Sequence, residues 1–512
     1  MEKELELRLK PHEALSQDCL KRRIASACRL KVQDLAYFRI LRRSIDSRGE
    51  PRFCLRVFAS TEKKKEEVKA KIYHDVSKSE RVVIVGAGPC GLFAALKLLE
   101  YGLKPVIVER GKPVEERKKD IALIARNEEL NEESNWCFGE GGAGTFSDGK
   151  LYTRSNKRGN IGEVLETFVE FGADEDISID AHAHIGTDKL SRIIKNIRNK
   201  ITECGGEYHF NSKVVDLLVR DGSVYGVKTA DGNTLEGKAV ILACGHSARD
   251  VYKLFSEKSW LIESKPFAMG VRVEHAQEFI NRTQYHTDKY SRLLPAATYS
   301  LTHNIGDRGV FSFCMCPGGM VIPSSTERDC LVVNGMSSSL RNSPYANSGI
   351  VVSVSEKDVP EYLHYGALSL MRFQEKCEQN MYSDRQVAPA QRISDFVAGK
   401  VSSSLCNSSY PAGLRSADMS DLLPKFISDS LRQGFVAFDK KMKGFVTNDA
   451  LMIGLESRTS SPVRIPRDKD SLLHLQLKNL YPCGEGAGYA GGITSSAMDG
   501  INAAKKIAGS EE

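Results

Sequence analysis

Arg81-Val82-Val83-Ile84-Val85-Gly86-Ala87-Gly88-Pro89-Cys90-Gly91 decides the fold of this chain. It is a β-branched apolar run that ends in the pattern G-x-G-x-x-G. Beyond it, Leu92, Ala95, Leu96 and Leu99 fall at i, i+3, i+4 and i+7, the spacing of one apolar helix face. After Gly102 a second apolar run, Pro105-Val106-Ile107-Val108, ends in Glu109-Arg110. Strand, tight turn, helix, strand and acid in that order make a βαβ unit with a dinucleotide fingerprint.

Each residue of the fingerprint has a physical task. Gly86 permits the tight turn, Gly88 lets backbone approach a pyrophosphate, and Gly91 lets helix and strand pack closely. Pro89 and Cys90 open the helix, whose N-terminus presents unpaired N–H groups to phosphate. Glu109 ends the second strand, where a carboxylate can accept hydrogen bonds from a ribose 2′-OH.

With 512 residues, the chain is long enough for roughly two to four domains. No apolar run approaches the length of a membrane span. Met1 to Glu6 is charged and has no hydrophobic h-region, so no secretory signal is read there. Thirteen cysteines without framework spacing fit a reducing cytoplasm, the expected location. The net charge of +6 is uneven. Residues 1–80 hold twenty Lys and Arg against thirteen Asp and Glu, and the rest is nearly neutral. Such an excess suits an acidic partner or nucleic acid, or simply a solvated charged face. No RNA-binding signature accompanies it, so a nucleic-acid partner is not expected, nor a membrane.

Residues 1–75 read as a small basic α+β unit. Glu4 to Leu9 alternates as a strand, Ala14 to Arg29 has helical spacing, and two strands flank the turn at Asp46 to Pro51. A Lys/Glu-rich helix is expected near Glu62 to Lys71. The order βαββα suggests a ferredoxin-like fold. Residues 111–135 are charged and helical in pattern. They lead to Trp136-Cys137-Phe138-Gly139-Glu140-Gly141-Gly142-Ala143-Gly144-Thr145-Phe146-Ser147-Asp148-Gly149-Lys150. So many glycines exclude a stable helix or strand. The interleaved aromatics argue for a buried loop whose backbone at Gly141, Gly142, Ala143 and Gly144 approaches a ligand. Residues 206–245 read as a β-meander that starts with one run through Tyr208 to Val219, has Asp-Gly turns at 221–222 and 231–232, and closes on the strand Ala239 to Gly245. Short strands fill 260–455 together with helices at Tyr362 to Met381 and Leu422 to Met442. The chain then returns to glycine at Gly484-Glu485-Gly486 and at Gly491-Gly492-Ile493, which opens a last helix. That helix terminus suits the negative charge of a reduced flavin.

Together these segments resemble the glutathione-reductase-type FAD flavoproteins without a CxxxxC disulfide. Gly86, Gly88, Gly91, Glu109 and Arg110 match the pyrophosphate and ribose elements. Lys213-Val214 lies where that superfamily contacts adenine. Ala243-Cys244-Gly245 matches the A-T-G strand end, with Cys for Thr. Gly484-Glu485-Gly486 matches the G-D motif at the ribityl chain, with Glu for Asp, and Gly492-Ile493 resembles the turn at the isoalloxazine O2. More narrowly, FGEGGAGTFSDGK at 138–150, HIGTD at 184–188, CGHSARD at 244–250, FCMCPGG at 313–319 and SRTSSPVR at 457–464 resemble the FAD-dependent (NAD/FAD-utilising) dehydrogenase family.

The resemblance implies an α/β protein. A discontinuous Rossmann-like FAD-binding domain (81–260 and 456–512) would carry an inserted α+β substrate domain (261–455) and the N-terminal unit. It implies bound FAD and a soluble intracellular enzyme, and names no substrate; the expected reaction transfers electrons or hydride between tightly bound FAD and a small organic substrate. Only one dinucleotide fingerprint is present. Either the organic substrate reduces the flavin, or NAD(P)H binds without its own Rossmann domain. Two further functions stay open: a flavoenzyme modifying RNA, and a flavin-binding sensor without turnover. On the substrate side, Arg458 could hold a carboxylate bidentately. Cys314 and Cys316 could exchange electrons with flavin or serve as small buried hydrophobes. His184 and His246 could act as acid or base near the flavin, or each be a satisfied structural histidine. The pair His182 and His184 lacks further ligands at metal spacing, so no metal is expected.

Overall fold

The computed structural model describes residues 1–64, 71–153 and 159–509. Its organising element is a five-stranded, all-parallel sheet. The strand order is Leu480–Pro482, Ala239–Leu242, Arg81–Val85, Lys104–Val108, Glu207–His209. The apolar runs at 82–85 and 105–108 lie at the centre because both their faces are covered. Val82, Val83 and Ile84 are fully buried, as parallel strands under helices must be. One face packs on the helices Pro89–Glu100, Thr187–Glu203 and Ile493–Ile507, and the other on Tyr252 and Phe255. Around Arg81–Val85 the order reverses, with the next strand in sequence on one side and Ala239–Leu242 on the other. Such a switch point opens a crevice beyond the strands' carboxyl ends.

The expected single run through Tyr208 to Val219 is two strands. Glu207–His209 ends the parallel sheet, and Val214–Arg220 starts a separate antiparallel meander with Ser223–Thr229 and Thr234–Glu236. Asn211, at φ +53°, breaks the run between them. Both Asp-Gly turns are present: Asp221, Gly222 and Gly232 all have positive φ.

Residues 267–456 form a seven-stranded mixed sheet. The strands Arg308–Cys316, Tyr345–Val354, Phe267–Ala276 and Leu451–Glu456 are consecutive and antiparallel within it. The helices Ser369–Met381 and Lys425–Lys441 contribute to its core with Phe373, Phe435 and Phe438. The expected helix from Tyr362 starts only at Ser369. The preceding 3-10 segment carries Gly366 at φ +56°, outside helical space.

Near the N-terminus, Glu2–Leu9, Arg52–Ser60 and Tyr37–Asp46 form an antiparallel sheet with Arg52–Ser60 in the middle. The helix Gln17–Cys28 closes its core through Leu20 and Ile24. Most of the helix expected at Glu62 to Lys71 lies outside the described residues. Arg43 docks this unit onto the Asp180 segment, with bonds of 2.6 and 3.0 Å to the Asp180 carboxylate. No helix among the described residues is long and apolar enough to cross a membrane.

Candidate functional site

The crevice at the switch point is a cleft of about 370 Å³. Two helix N-termini border it. Pro89–Glu100 has Gly88 at its N-cap and Ile493–Ile507 has Gly492; neither cap residue has a side chain to accept from its helix's first N–H groups. The helices lie close because Gly500 meets the Cys90 carbonyl, where a Cβ would sit 2.1 Å from oxygen. Two uncapped helix ends at one cleft make a strong anion site. Gly86, at φ +107°, turns tightly under the Ala243 carbonyl, 2.4 Å from where its Cβ would be. At Gly245, Gly491 and Gly492 an added Cβ would meet nothing within 4 Å. At Gly88 it would reach only Gly142 Cα, at 3.9 Å. These backbones therefore border open cleft instead of packed protein. That is the fit expected of a dinucleotide cofactor such as FAD.

Of the expected cofactor residues, Gly86, Gly88, Pro89 and Cys90 line the cleft, as do Glu109, Arg110, Lys213 and Val214. So do Gly142, Ala143, Gly144, the 243–245 strand end, Gly484, Glu485 and Gly491 to Ile493. Gly91 and Gly141 lie behind it. A Cβ on Gly91 would fall 2.0 Å from the Gly86 carbonyl oxygen, and one on Gly141 would fall 1.9 Å from Thr145 Oγ1. Their glycine is needed for packing.

Glu109 does more than end a strand. Its buried carboxylate accepts N–H bonds from Ala87 at 2.8 Å, Gly111 at 2.9 Å and Gly139 at 3.0 Å. It thus ties the glycine turn to the 139–144 loop. Arg117, fully buried, holds that loop from the other side. It donates to the carbonyls of Asn135, Glu140 and Gly142 at 2.8, 2.8 and 2.9 Å. Burial lowers its pKa to about 10, still charged at neutral pH. Trp136, Phe138 and Phe146 are buried, which fixes the loop.

At the mouth, Arg110 forks onto Asp250 at 3.0 and 3.0 Å, bonds Glu133 at 2.5 Å and lies over the Phe138 ring. Lys213 joins through Glu133 at 2.7 Å. Cys244 faces the cleft, but burial pushes its thiol up to about 12, so it stays protonated.

The four expected catalytic residues part company. Cys314 lines the cleft and is exposed there. Cys316 is buried beneath it. Arg458 also reaches the wall, but its donors are committed: Nη2 and Nε to Glu378 at 3.0 and 3.2 Å, Nη1 to Thr326 at 2.7 Å. Glu378 is shared with Arg249 at 2.8 Å, and these charges hold its carboxyl at about 2. His184 lies off the cleft, its Nε2 3.1 Å from the Ser339 carbonyl, and burial lowers its pKa. His246 lines the cleft instead, with Nε2 2.9 Å from the Arg458 carbonyl and 3.9 Å from Glu485.

Lys150 and Arg272 meet the two thiols, and nothing in their local sequence announces it. Their partners lie more than 40 residues away. A second cavity, of about 680 Å³, shares Phe313 and Thr459 with the cleft and carries Arg308, Lys357 and Asp358. No group of three or more metal-ligating side chains occurs among the described residues.

Three family descriptions match the chain. "Pyridine nucleotide-disulphide oxidoreductase" covers residues 80–258, "FAD-dependent protein, C-terminal domain-like" covers 266–459, and a domain of unknown function covers 1–58. An "uncharacterized protein" from Clostridium beijerinckii (strain ATCC 51743 / NCIMB 8052) is 39% identical over 514 residues, 95% of each chain. Among solved structures, CtdE in complex with FAD is 13% identical, covering 84% of each chain at a TM-score of 0.33. The flavin-dependent brominase Bmp2 is 15% identical over 84% of this chain and 79% of that one, with a TM-score of 0.38.

Proposed function

The chain belongs to the FAD-dependent protein family that includes the Clostridium beijerinckii relative, and from that premise we propose that it is a dehydrogenase acting on a small organic substrate. FAD is its cofactor, and when bound it supplies the two-electron chemistry. The observation that carries the reading is the pairing of two uncapped helix N-termini, at Gly88 and Gly492, on one cleft with open glycine backbone.

In this reading the chain's own residues bind, orient and enclose. The turn at 86–91 would hold the pyrophosphate, and Glu109, which keeps that turn in register with the 139–144 loop, would also serve the ribose. Lys213 and Val214 would hold the adenine end. The N-terminus of Ile493–Ile507 would favour negative charge on the ring. Residues 81–260 and 456–512 form the cofactor domain, and 261–455 supplies the wall that faces the substrate. Arg458, neutralised by Glu378, positions the wall and the His246 ring. His246 and Glu485 are the proton-handling groups at the cleft. Substrate, or NAD(P)H as donor, approaches through the cavity beyond Phe313 and Thr459, which carries Arg308 and Lys357 beside Asp307 and Asp358. All thirteen cysteines are free thiols, which supports a reducing, cytoplasmic setting.

The test is anaerobic reduction of the bound flavin against NADH, NADPH and a panel of amines, hydroxy acids and quinols. Bleaching of the flavin band by one class is the expected result. A flavin that none of them reduces would refute the dehydrogenase reading.

A further inference from the structure

The strand Arg308–Cys316 pairs regularly with Tyr345–Val354 as far as Phe313 opposite Gly349, then slips so that Cys316 faces Asn347. This is a β-bulge, and Cys314 within it has φ +45°. A bulge re-aims a side chain at the expense of strained backbone. Here it turns Cys314 out of the sheet into the cleft and leaves Cys316 fully buried behind.

Both sulfurs share one ammonium. Lys150 Nζ lies 3.8 Å from Cys314 Sγ and 3.9 Å from Cys316 Sγ, and is aimed there by a bond to the Met315 carbonyl. Arg272 adds a second cation, with Nη2 3.3 Å from Cys316 Sγ and 2.6 Å from the Cys314 carbonyl. A packed core does not place two cations on two thiols.

We propose that Cys314 and Cys316 are a redox-active dithiol of this FAD site, with Cys314 facing the cleft and Cys316 its resolving partner. The proposal rests on the oxidoreductase reading above and deepens it. The exchange balances within the protein. The Cys314 thiolate and the Cys316 thiol give up one proton and two electrons as one S–S bond forms, and oxidised FAD takes up the two electrons and one proton to become FADH⁻. In reverse, FADH⁻ reopens the bond and Cys316 regains the proton.

The surroundings support these roles. A hydrogen bond from Cys316, then the charges of Lys150 and Arg272, hold Cys314 well below the ordinary thiol range. The same hydrogen bond and burial push Cys316 up, as befits the thiol that keeps its proton. Asp148 faces the pair from the loop, but Arg341 forks onto it at 3.1 and 2.5 Å and Lys150 stands 3.8 Å away. Glu456, from the neighbouring strand, is tied to Arg272 at 2.8 Å.

The experiment is an anaerobic dithionite titration of air-oxidised holoenzyme, with alkylation and mass spectrometry of residues 314–316 at each stage. Wild type is expected to take up four electrons per FAD, while Cys314→Ser and Cys316→Ser take up two. A long-wavelength absorbance band is expected at the two-electron level, absent from Cys314→Ser. Lys150→Met should move the pH midpoint of that band upward by about one unit. Uptake of two electrons per FAD by wild type, with both thiols alkylated throughout, would overturn the dithiol. If a metabolite still reduced that flavin, the oxidoreductase reading would stand alone. A protein that binds no FAD would overturn both.

Discussion

Glu109→Gln separates a ribose ligand from a structural clasp. In the structure Oε2 accepts from Ala87, and Oε1 accepts from both Gly111 and Gly139, at 2.8, 2.9 and 3.0 Å. An amide can keep one oxygen on the two-bond side. Its NH2 group must then face the Ala87 N–H, a donor against a donor. Losing that charge-assisted bond costs about 1.5–3 kcal/mol, and weakening the other two from charged to neutral acceptors costs about 1 kcal/mol more. The total is about 2.5–4 kcal/mol, a large share of the ~5–15 kcal/mol that holds a typical domain. For a cofactor domain of this size that corresponds to a fall in Tm of about 10 °C. The assay is thermal unfolding of flavin-free protein, followed by FAD titration. The apoprotein itself should be destabilised. An apoprotein Tm within a degree of wild type, with only FAD affinity reduced, would refute the clasp and leave a purely ribose-binding carboxylate.

Other perturbations follow the same reasoning. Gly91→Ala places a Cβ 2.0 Å from the Gly86 carbonyl oxygen; overpacking of about 1–3 kcal/mol should shift the helix and weaken FAD, read as lower flavin retention after gel filtration. Arg458→Met removes a partner of the buried Glu378 and should cost about 3 kcal/mol of stability; an unchanged Tm with a raised KM would show Arg458 to be a substrate ligand instead. His275 is buried, with its pKa lowered to about 4 and its Nδ1 without a partner. The unfolded chain, with an ordinary histidine pKa near 6.5, binds this proton first, so stability should fall as pH drops from about 6.5 to about 4, by roughly 3 kcal/mol in all. His275→Phe should flatten that part of the Tm–pH curve, and an unaltered curve would contradict the assignment.

The sequence made the cofactor half legible because its signals are local. The glycine turn, the acid at 109 and the strand end at 243–245 each report one backbone geometry, and all reach the same cleft. The loop at 136–150 was legible through its aromatics, which are buried as expected. What escaped depends on distant pairing. Arg117 looks like one charge in a charged helix, yet it carries the 139–144 loop. Arg458 looks like a free anion clamp, and only the fold supplies Glu378, 80 residues away. Tyr208 to Val219 reads as one strand because Asn211's left-handed backbone leaves no mark on the apolar pattern. The Cys-x-Cys pair is visible in the sequence, but the bulge that turns Cys314 outward and the Lys150 ammonium that serves both sulfurs are not.

The most direct measurement is the flavin content of purified wild type and Gly88→Val. A Cβ at residue 88 has only Gly142 Cα near it, at 3.9 Å, so a valine can enter the cleft without breaking the fold. Wild type should be yellow, with one FAD per chain. Gly88→Val should be colourless, with the circular dichroism of wild-type apoprotein. A colourless wild type that takes up no added FAD, or a Gly88→Val protein that still carries FAD, would contradict the account.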